Sequence, residues 1–370
     1  MAKKQTAVEN KGLSVLQKLT ANIEKKYGKG IVGMAGTMDL SVPKLSSNIM
    51  SLDFALGGGF PKGRYIEMYG ESSAGKTSLA LHTIAQSQKE GGMCGFIDAE
   101  HSFSPDHAKN LGVDVDNLFY AKPERGEEAF DILHQMVETN AFSVIVVDSI
   151  SAITPTKMLE SEMGDNIVGL QARLVQQGVV KLNSMLFNTQ TIVIFINQMR
   201  SAIQTIQWGG DSTTTTGGKA LVFYASQRLE VRKSTAIKNS DNIPIGYLMK
   251  ITVKKNKVGV PLRVGEVNYY FDKCFSAEDE IFDMALKYQI IEKSGSWFRY
   301  DGTNIGQGRE RALAALQDNP ELMEIITNKV KEEHEAFISK TPKPSEEEIG
   351  EIDIEVFDKG LTEVKTKETE

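Results

Sequence analysis

Cysteine is nearly missing from this chain, with only Cys94 and Cys274 in 370 residues. Two cysteines cannot build a disulfide framework, and neither has a Cys or His partner at metal-ligand spacing. Long hydrophobic runs are missing as well. A membrane helix needs about 18 consecutive apolar residues, and the longest runs here, near Val144–Val147 and Ile192–Ile196, are strand-sized. The first twelve residues are polar and basic without an apolar stretch, which argues against a secretion signal. A disulfide-stapled secreted protein and a membrane-spanning one are thereby excluded. A reducing cytoplasm is the expected setting, with no membrane partner.

The composition that remains is ordinary for a soluble globular protein, 41% apolar and 25% charged. The length suits one large α/β core with at least one smaller attachment. The net charge of −7 becomes informative once located. Ser345 to Glu370 holds ten acidic and three basic residues, and the other 344 residues carry thirty-nine of each sign. The acidity therefore belongs to the tail, and a segment of this kind is expected to be disordered. It serves either as a solubilising end or as an electrostatic gate that competes with a polyanion for basic surface on the body.

Residues 11–27 place Leu13, Leu16, Leu19, Ile23 and Tyr27 at helical spacing. Gly28 and Gly30 end that helix, whose apolar stripe needs a surface to cover it, such as a neighbouring subunit. A loop-rich stretch with the turn cluster Gly57-Gly58-Gly59-Phe60-Pro61 leads to Gly63. From Arg64 the pattern alternates. Strands are expected at Tyr65–Tyr69, Cys94–Asp98, Leu118–Ala121, Ser143–Asp148, Thr191–Asn197, Gln227–Arg232, Leu248–Lys254 and Glu266–Phe271. Helices follow Lys76, Glu124 and Val168. Such a pattern predicts an α/β fold: a mostly parallel sheet with helices on both faces. From about Ala277 to Ser339 a smaller C-terminal domain is expected, helical with a break near Trp297–Tyr300.

Four segments carry chemistry. Gly70-Glu71-Ser72-Ser73-Ala74-Gly75-Lys76-Thr77 fits G-x-x-x-x-G-K-[ST] between a predicted strand and a predicted helix. Glycines there let backbone N–H groups wrap phosphates, and the helix N-terminus adds partial positive charge. Lys76 is suited to the β and γ phosphates of ATP and the Thr77 hydroxyl to Mg²⁺. Ser78 completes the expected nucleotide-holding run. Second, Val144-Ile145-Val146-Val147-Asp148 puts Asp148 at the carboxyl lip of a buried strand, where it can hold the Mg²⁺ shell. Third, Phe96-Ile97-Asp98-Ala99-Glu100-His101 offers Glu100 to orient the attacking water, with Asp98 and His101 competing on charge grounds. Fourth, Phe195-Ile196-Asn197-Gln198 ends a strand with an amide able to sense a γ-phosphate. A long loop follows, Met199 to Thr216, with Trp208-Gly209-Gly210 and a run of threonines. An aromatic among glycines and hydroxyls suits nucleic-acid bases and backbone.

These segments, in this order, resemble the RecA family of DNA recombinases. The likeness begins at Asn22-Ile23-Glu24-Lys25-Lys26-Tyr27-Gly28-Lys29-Gly30 and Ser51-Leu52-Asp53. It takes in the phosphate loop, Asp98-Ala99-Glu100-His101, Val146-Val147-Asp148-Ser149 and Phe195-Ile196-Asn197-Gln198. It continues through Thr214-Thr215-Thr216-Gly217-Gly218, Phe223-Tyr224-Ala225-Ser226, Lys255-Asn256-Lys257 and Gly306-Gln307-Gly308. The resemblance implies a RecA-type P-loop ATPase core with an N-terminal helix and a small α/β C-terminal domain. Residues 1–33 would be the helix and linker that pack between protomers, 34–273 the core with its DNA-binding loops, 274–340 the C-terminal domain and 341–370 the acidic tail.

It also implies a helical filament of protomers on DNA with ATP between neighbours. Glu100 matches the family's catalytic glutamate and Gln198 its ATP sensor. Lys255 and Lys257 match lysines that reach a neighbour's γ-phosphate; from the residues alone they read as a basic edge strand. The stretch 159–169, with Met163 and Gly164, matches the first DNA loop. Residues 200–216 match the second, with Arg200, Ile203, Trp208, Gly209, Thr214, Thr215 and Thr216. Arg173, Gly217 and Gly218 join the expected DNA-binding set. Single-strand binding and mediator proteins are further partners the resemblance implies.

The chain departs from the family's pattern in places. Its phosphate loop lacks the proline and has Ala74 where the bacterial form usually has Ser. His107 stands at the adenine-stacking tyrosine, Ser104 at the preceding acidic position, and Trp208 at the second loop's phenylalanine. These fit a divergent member, bacterial or phage-borne. The expected function is ATP-dependent homologous recombination: coating single-stranded DNA, pairing it with duplex DNA and exchanging strands. A hexameric motor or clock-type ATPase is the alternative, and a non-enzymatic single-strand coat a third.

Overall fold

Branched aliphatic residues fill the central strands, and successive side chains alternate between the two faces of the sheet. The computed structural model describes residues 2–38, 40–162, 169–201, 213–215, 217–239 and 241–340. In β1 (Tyr65–Gly70) every residue is buried, and in β4 (Phe142–Asp148) every residue but Ser143. Alternate side chains serve opposite faces. Ile66, Met68, Val144 and Val146 join one apolar cluster with Leu79 and Ile84 of α3 (Lys76–Lys89). Tyr65, Ile145 and Val147 join a second with Phe130 and Leu133 of α5 (Gly126–Glu138) and Val175 and Leu182 of α7 (Leu170–Leu186). Apolar residues on both faces are what a parallel sheet between helices requires.

The other strands of this ten-stranded sheet are β2 (Met93–Asp98), β3 (Leu118–Ala121), β5 (Ile192–Ser201), β6 (Thr213–Thr215), β7 (Gln227–Lys238), β8 (Pro244–Asn256), β9 (Val264–Tyr270) and β10 (Cys274–Phe275). Their order is β10-β9-β8-β7-β1-β5-β4-β2-β3, with β6 paired to β5. The run from β7 to β3 is parallel, while β7, β8, β9 and β10 pair antiparallel. The expected strands are all present. Three are longer than their apolar alternation indicated: β5 runs on through Ser201, β8 covers Pro244–Asn256, and β7 runs on through Lys238 with exposed side chains over residues 232–236. A solvated hairpin arm held by its ladder leaves no apolar signal.

The N-terminal helix α1 (Ala2–Tyr27) begins nine residues before the expected start. Lys25 and Lys26 in its last turn suit the negative end of the helix dipole. Val15, Leu16 and Leu19 are exposed on it. The chain divides into two compact units, the first ending at Pro43 and the second beginning at Lys44. Within the second, residues from Ala277 onward form α9 (Ala277–Lys287), a three-stranded meander β11 (Glu292–Ser294), β12 (Trp297–Tyr300) and β13 (Thr303–Gln307), then α10 (Arg309–Gln317) and α11 (Pro320–Lys340). The expected break near Trp297–Tyr300 is thus the middle strand of a small sheet, and Phe298 from it packs with Phe282, Leu316 and Ile326 in a separate core. The acidic tail, 341–370, lies outside the described residues.

One contact ties this helical segment to the large sheet's side of the molecule. No side chain of its own caps α2 (Met50–Leu56). Glu280 of α9 does so from a distance, accepting from the N–H groups of Met50 and Ser51 at 2.8 Å each. Glu280 is buried, so its loss strands both donors. Glu280→Ala should lower unfolding stability by about 2 kcal/mol and Glu280→Gln by less, because a buried unsatisfied donor costs roughly 1–3 kcal/mol. Denaturant titration of the two variants checks the order.

Candidate active site

The carboxyl ends of β1, β2, β4 and β5 share one lip of the sheet. Gly70 is level with Gln198, and Asp98 with Asp148. β1 sits where the strand sequence reverses, the position at which sheets of this kind bind ligands. The loop after it turns directly into α3, whose N-cap is Gly75 at φ +93° with no side-chain cap. A Cβ at Gly75 would lie 2.3 Å from the Met249 Cε and 2.8 Å from the Tyr247 hydroxyl, and one at Gly70 would lie 2.1 Å from the Val231 carbonyl oxygen. The loop therefore lies hard against β7 and β8, and only glycine fits both positions. An uncapped helix start facing a tight loop is a ready anion site.

Lys76 Nζ donates to the carbonyls of Gly70 at 3.1 Å and Glu71 at 2.6 Å. Burial lowers its pKa, and the charges of Asp148 and Glu100 oppose that shift. Thr77 Oγ1 donates to Asp148 Oδ2 at 2.7 Å. Burial pushes the Asp148 carboxyl up to about 6, against the lowering effect of the Thr77 hydroxyl. The Asp148 carbonyl accepts from the N–H groups of Ala99 at 2.8 Å and Glu100 at 3.0 Å. Hydroxyl and carboxylate side by side form a hard-oxygen pair suited to Mg²⁺, which takes one or two protein oxygens and leaves other positions to phosphate and water. Among the described residues no cluster of three or more His, Cys, Asp or Glu could hold a metal ion.

The three competing groups after β2 separate clearly. The Asp98 carboxylate accepts from the N–H groups of Ser102 at 3.2 Å and Phe103 at 3.0 Å and from the Tyr120 hydroxyl at 2.9 Å. It is buried and holds the turn. His101 is exposed at φ +56°. Glu100 is exposed, and its Oε1 accepts from Gln198 Nε2 at 3.0 Å. Glu100, Gln198, Lys76, Thr77 and Asp148 are thus brought to one lip.

Lys255 and Lys257 are not part of that group. Lys255 pairs with Arg228, which pairs with Glu67, while Gly70 lies level with Val231 and Ile251. At about 3.3 Å per residue, the three steps from Glu67 to Gly70 set Lys255 roughly 10 Å along the sheet from the start of the phosphate loop. Both ammonium groups donate instead to carbonyls at the end of α8 (Lys219–Tyr224): Lys255 to Val222 and Phe223, Lys257 to Phe223 and Tyr224.

The expected second DNA loop starts as a ribbon. Met199, Arg200 and Ser201 of β5 pair with Thr215, Thr214 and Thr213 of β6, so Arg200, Thr214 and Thr215 belong to a β-ladder continuous with Gln198. Gly217 and Gly218 lead from it into α8. Arg173 is exposed in the first turn of α7. Met163, Gly164, Ile203, Trp208, Gly209 and Thr216 lie outside the described residues.

Sequence reasoning missed one wall of the site. A cleft of about 300 Å³ beside residues 73–78 is lined by Lys233, Tyr247, Tyr269 and Phe271. His107 Nε2 bonds Ser78 Oγ at 2.9 Å, and the same hydroxyl bonds the Tyr269 hydroxyl at 3.2 Å. Burial lowers the His107 pKa, which favours the neutral ring. Aromatic rings with polar tips suit a flat heterocycle. The available signal was Tyr247 and Tyr269 on two alternating strands; they face each other only once the register of β8 and β9 is known.

Two family models match the chain in tandem, the RecA N-terminal domain over residues 14–276 and the RecA C-terminal domain over residues 279–335. Among similar proteins, one called Protein RecA from Porphyromonas gingivalis is 46% identical over 329 residues, 88% of this chain and 96% of the relative. Another of that name from Macrococcus caseolyticus is 44% identical over 348 residues, 94% of this chain and 98% of its own length. A third, from Campylobacter fetus, is 48% identical over 311 residues, 84% and 90% of the two chains.

The geometry separates the acids experimentally. Glu100→Gln should reduce hydrolysis by at least ~100-fold, the scale of a lost general base, while leaving nucleotide affinity intact. Asp98→Asn should instead lower the melting temperature, since it disturbs a buried carboxylate that accepts three hydrogen bonds. Turnover and thermal melts of both variants, measured side by side, test the division.

Proposed function

The chain belongs to the RecA family, and we propose how its residues divide the family's work. It is an ATP-dependent homologous-recombination protein, a DNA-dependent ATPase that binds DNA and forms filaments. The observation that carries the assignment of roles is the Gln198–Glu100 hydrogen bond at the mouth of the phosphate loop. One residue beyond Gln198, at Met199, the same strand enters the ribbon that holds Arg200, Thr214 and Thr215.

In this reading the substrate is ATP, and residues Gly70 to Ser78 cradle its phosphates. Lys76 exchanges its carbonyl contacts for the β and γ phosphates, an exchange its lowered proton affinity does not prevent. Thr77 and Asp148 hold Mg²⁺, which when bound neutralises charge on the phosphate oxygens. The cleft of Tyr247, Tyr269 and Phe271 takes the base, with His107 bonded to Ser78 beside it. Glu100 orients and deprotonates the attacking water. Gln198 bonds Glu100 and faces the space the γ-phosphate would fill, so nucleotide state is passed along β5 to the DNA ribbon. Residues 159–169 and 200–216, with Arg173, Gly217 and Gly218, contact single-stranded and duplex DNA mainly through the backbone, leaving sequence selection to base pairing.

The filament follows from two surfaces. The first unit carries exposed Val15, Leu16, Leu19, Ile31 and Met34, and the second exposes Met93, Phe119 and Tyr120 beside the open edge strand β3. An apolar helix face on one copy and an unpaired apolar edge on another complement each other. Lys255 and Lys257, set away from their own phosphate loop, would then complete a neighbour's. No helix among the described residues is long and apolar enough to cross a membrane, and a cytoplasmic setting with single-strand binding and mediator proteins as partners is the corresponding proposal.

Lys76→Ala should abolish strand exchange with ATP; undiminished exchange would sink this mechanism. Electron micrographs with single-stranded DNA and a slowly hydrolysed ATP analogue should show filaments, whereas closed rings would favour a hexameric motor. Deleting residues 345–370 should strengthen duplex binding and change its salt dependence, with unchanged affinity marking the tail as a solubiliser alone.

A further inference from the structure

A carboxylate lies in the middle of the apolar sheet. Glu67 is the third residue of β1, and its side chain has no solvent exposure. One oxygen, Oε1, accepts from Asn197 Nδ2 of β5 at 2.9 Å. The other, Oε2, accepts from Arg228 Nε of β7 at 2.6 Å. In the ladder Glu67 is level with Phe195 on one side and Arg228 on the other, so a single carboxylate spans both seams of the central strand.

Each arm continues to a functional group. Asn197 Oδ1 accepts from the Gln198 N–H at 2.9 Å, and Gln198 Nε2 donates to Glu100. On the opposite side the Arg228 guanidinium lies over the Tyr69 ring at 4.6 Å, and Arg228 is the ladder partner of Lys255. The Lys257 N–H donates to the Ser226 carbonyl at 2.8 Å, two residues before Arg228. Four groups therefore connect the nucleotide-sensing lip to the strand end that bears both lysines.

Stability alone does not explain such a bridge. Desolvating a buried ion pair costs several kcal/mol per ion, and apolar side chains of similar volume often serve as well or better. What a charged fork supplies is direction: two short, charge-assisted bonds fix three strands laterally against one another. A shift at Gln198 then has a rigid lever to Lys255 that apolar packing would not provide.

We propose that Glu67 is a positioning residue that couples a protomer's own Gln198–Glu100 site to the strand carrying Lys255 and Lys257. The two nucleotide sites flanking each protomer then respond together. This rests on the reading that those lysines complete a neighbour's site.

The first variant is Glu67→Gln, nearly isosteric but with one acceptor oxygen, so it cannot serve both Asn197 and Arg228. On single-stranded DNA its hydrolysis should rise with ATP along a curve flattened toward a hyperbola. The ratio of its single-strand affinities with a slowly hydrolysed ATP analogue and with ADP should fall about fivefold or more, the usual scale of a coupling between sites. Binding of a fluorescent ATP analogue without DNA should match the parent protein, which a general loss of structure would not allow. The second variant, Glu67→Met with Arg228→Met, removes the bridge by an apolar exchange and should show the same two losses. Either variant, folded by thermal melt, with parental steepness and affinity ratio would overturn the proposal. So would a parent protein with a hyperbolic response, or failure of both variants to fold, which would make the bridge purely structural. Lys255→Ala is the separate control: full DNA-stimulated hydrolysis in it would refute the neighbour-site reading itself, whatever Glu67 does.

Discussion

The carboxyl end of β4 carries a residue whose two polar groups hold separate segments of the site. Through its carboxylate, Asp148 fixes Thr77 at the start of α3; through its carbonyl it fixes the backbone of Ala99 and Glu100. The parallel register of β4 with β2 brings these groups to one level. Without that register the candidate base and the phosphate loop have no common reference. Parallel strands hold it because β4 is apolar on both faces and cannot slip by one residue without exchanging its two cores.

The same lip shows how charge is tolerated in a buried place. Lys76 and Asp148 are almost without solvent exposure, and burial opposes ionisation of each, lowering one pKa and raising the other. Each is held by neutral partners, carbonyls for the ammonium and a hydroxyl for the carboxylate. Those partners are weak enough to be exchanged for phosphate and a divalent cation. Asp98, only one strand away, is the contrast: three donors hold it. A carboxylate held by three donors organises a turn, and one held by a single exchangeable hydroxyl is available for chemistry.

How much could be read from the sequence depended on distance along the chain. The phosphate loop, Asp148 and the strand ends were legible because each is a contiguous run whose neighbours dictate its context. The choice among Asp98, Glu100 and His101 was not legible from charge alone, because it turns on Tyr120 reaching across from β3 and on backbone donors a few residues on. Tyr247 and Tyr269 stayed hidden for a similar reason. They meet the phosphate loop only after the hairpin of β7 and β8 folds back, and β7 runs on through solvated residues without apolar alternation. The small meander of β11 to β13 was blurred into helix because its strands are three to five residues long, too short to establish a period.

The position of the paired lysines brings these strands of argument together. Antiparallel pairing of β7 and β8 carries Lys255 back to the level of Glu67 and Arg228, toward the amino end of β1, while the phosphate loop lies at its carboxyl end. No rotamer of a lysine, about 6 Å long when extended on the spacing of a four-carbon stem, spans the ~10 Å that three strand residues impose. Within one chain the lysines and the loop are therefore separate. Any phosphate these lysines serve must therefore be another molecule's, which is what the proposed head-to-tail assembly of copies requires. An open filament is the assembly in which that offset need not close.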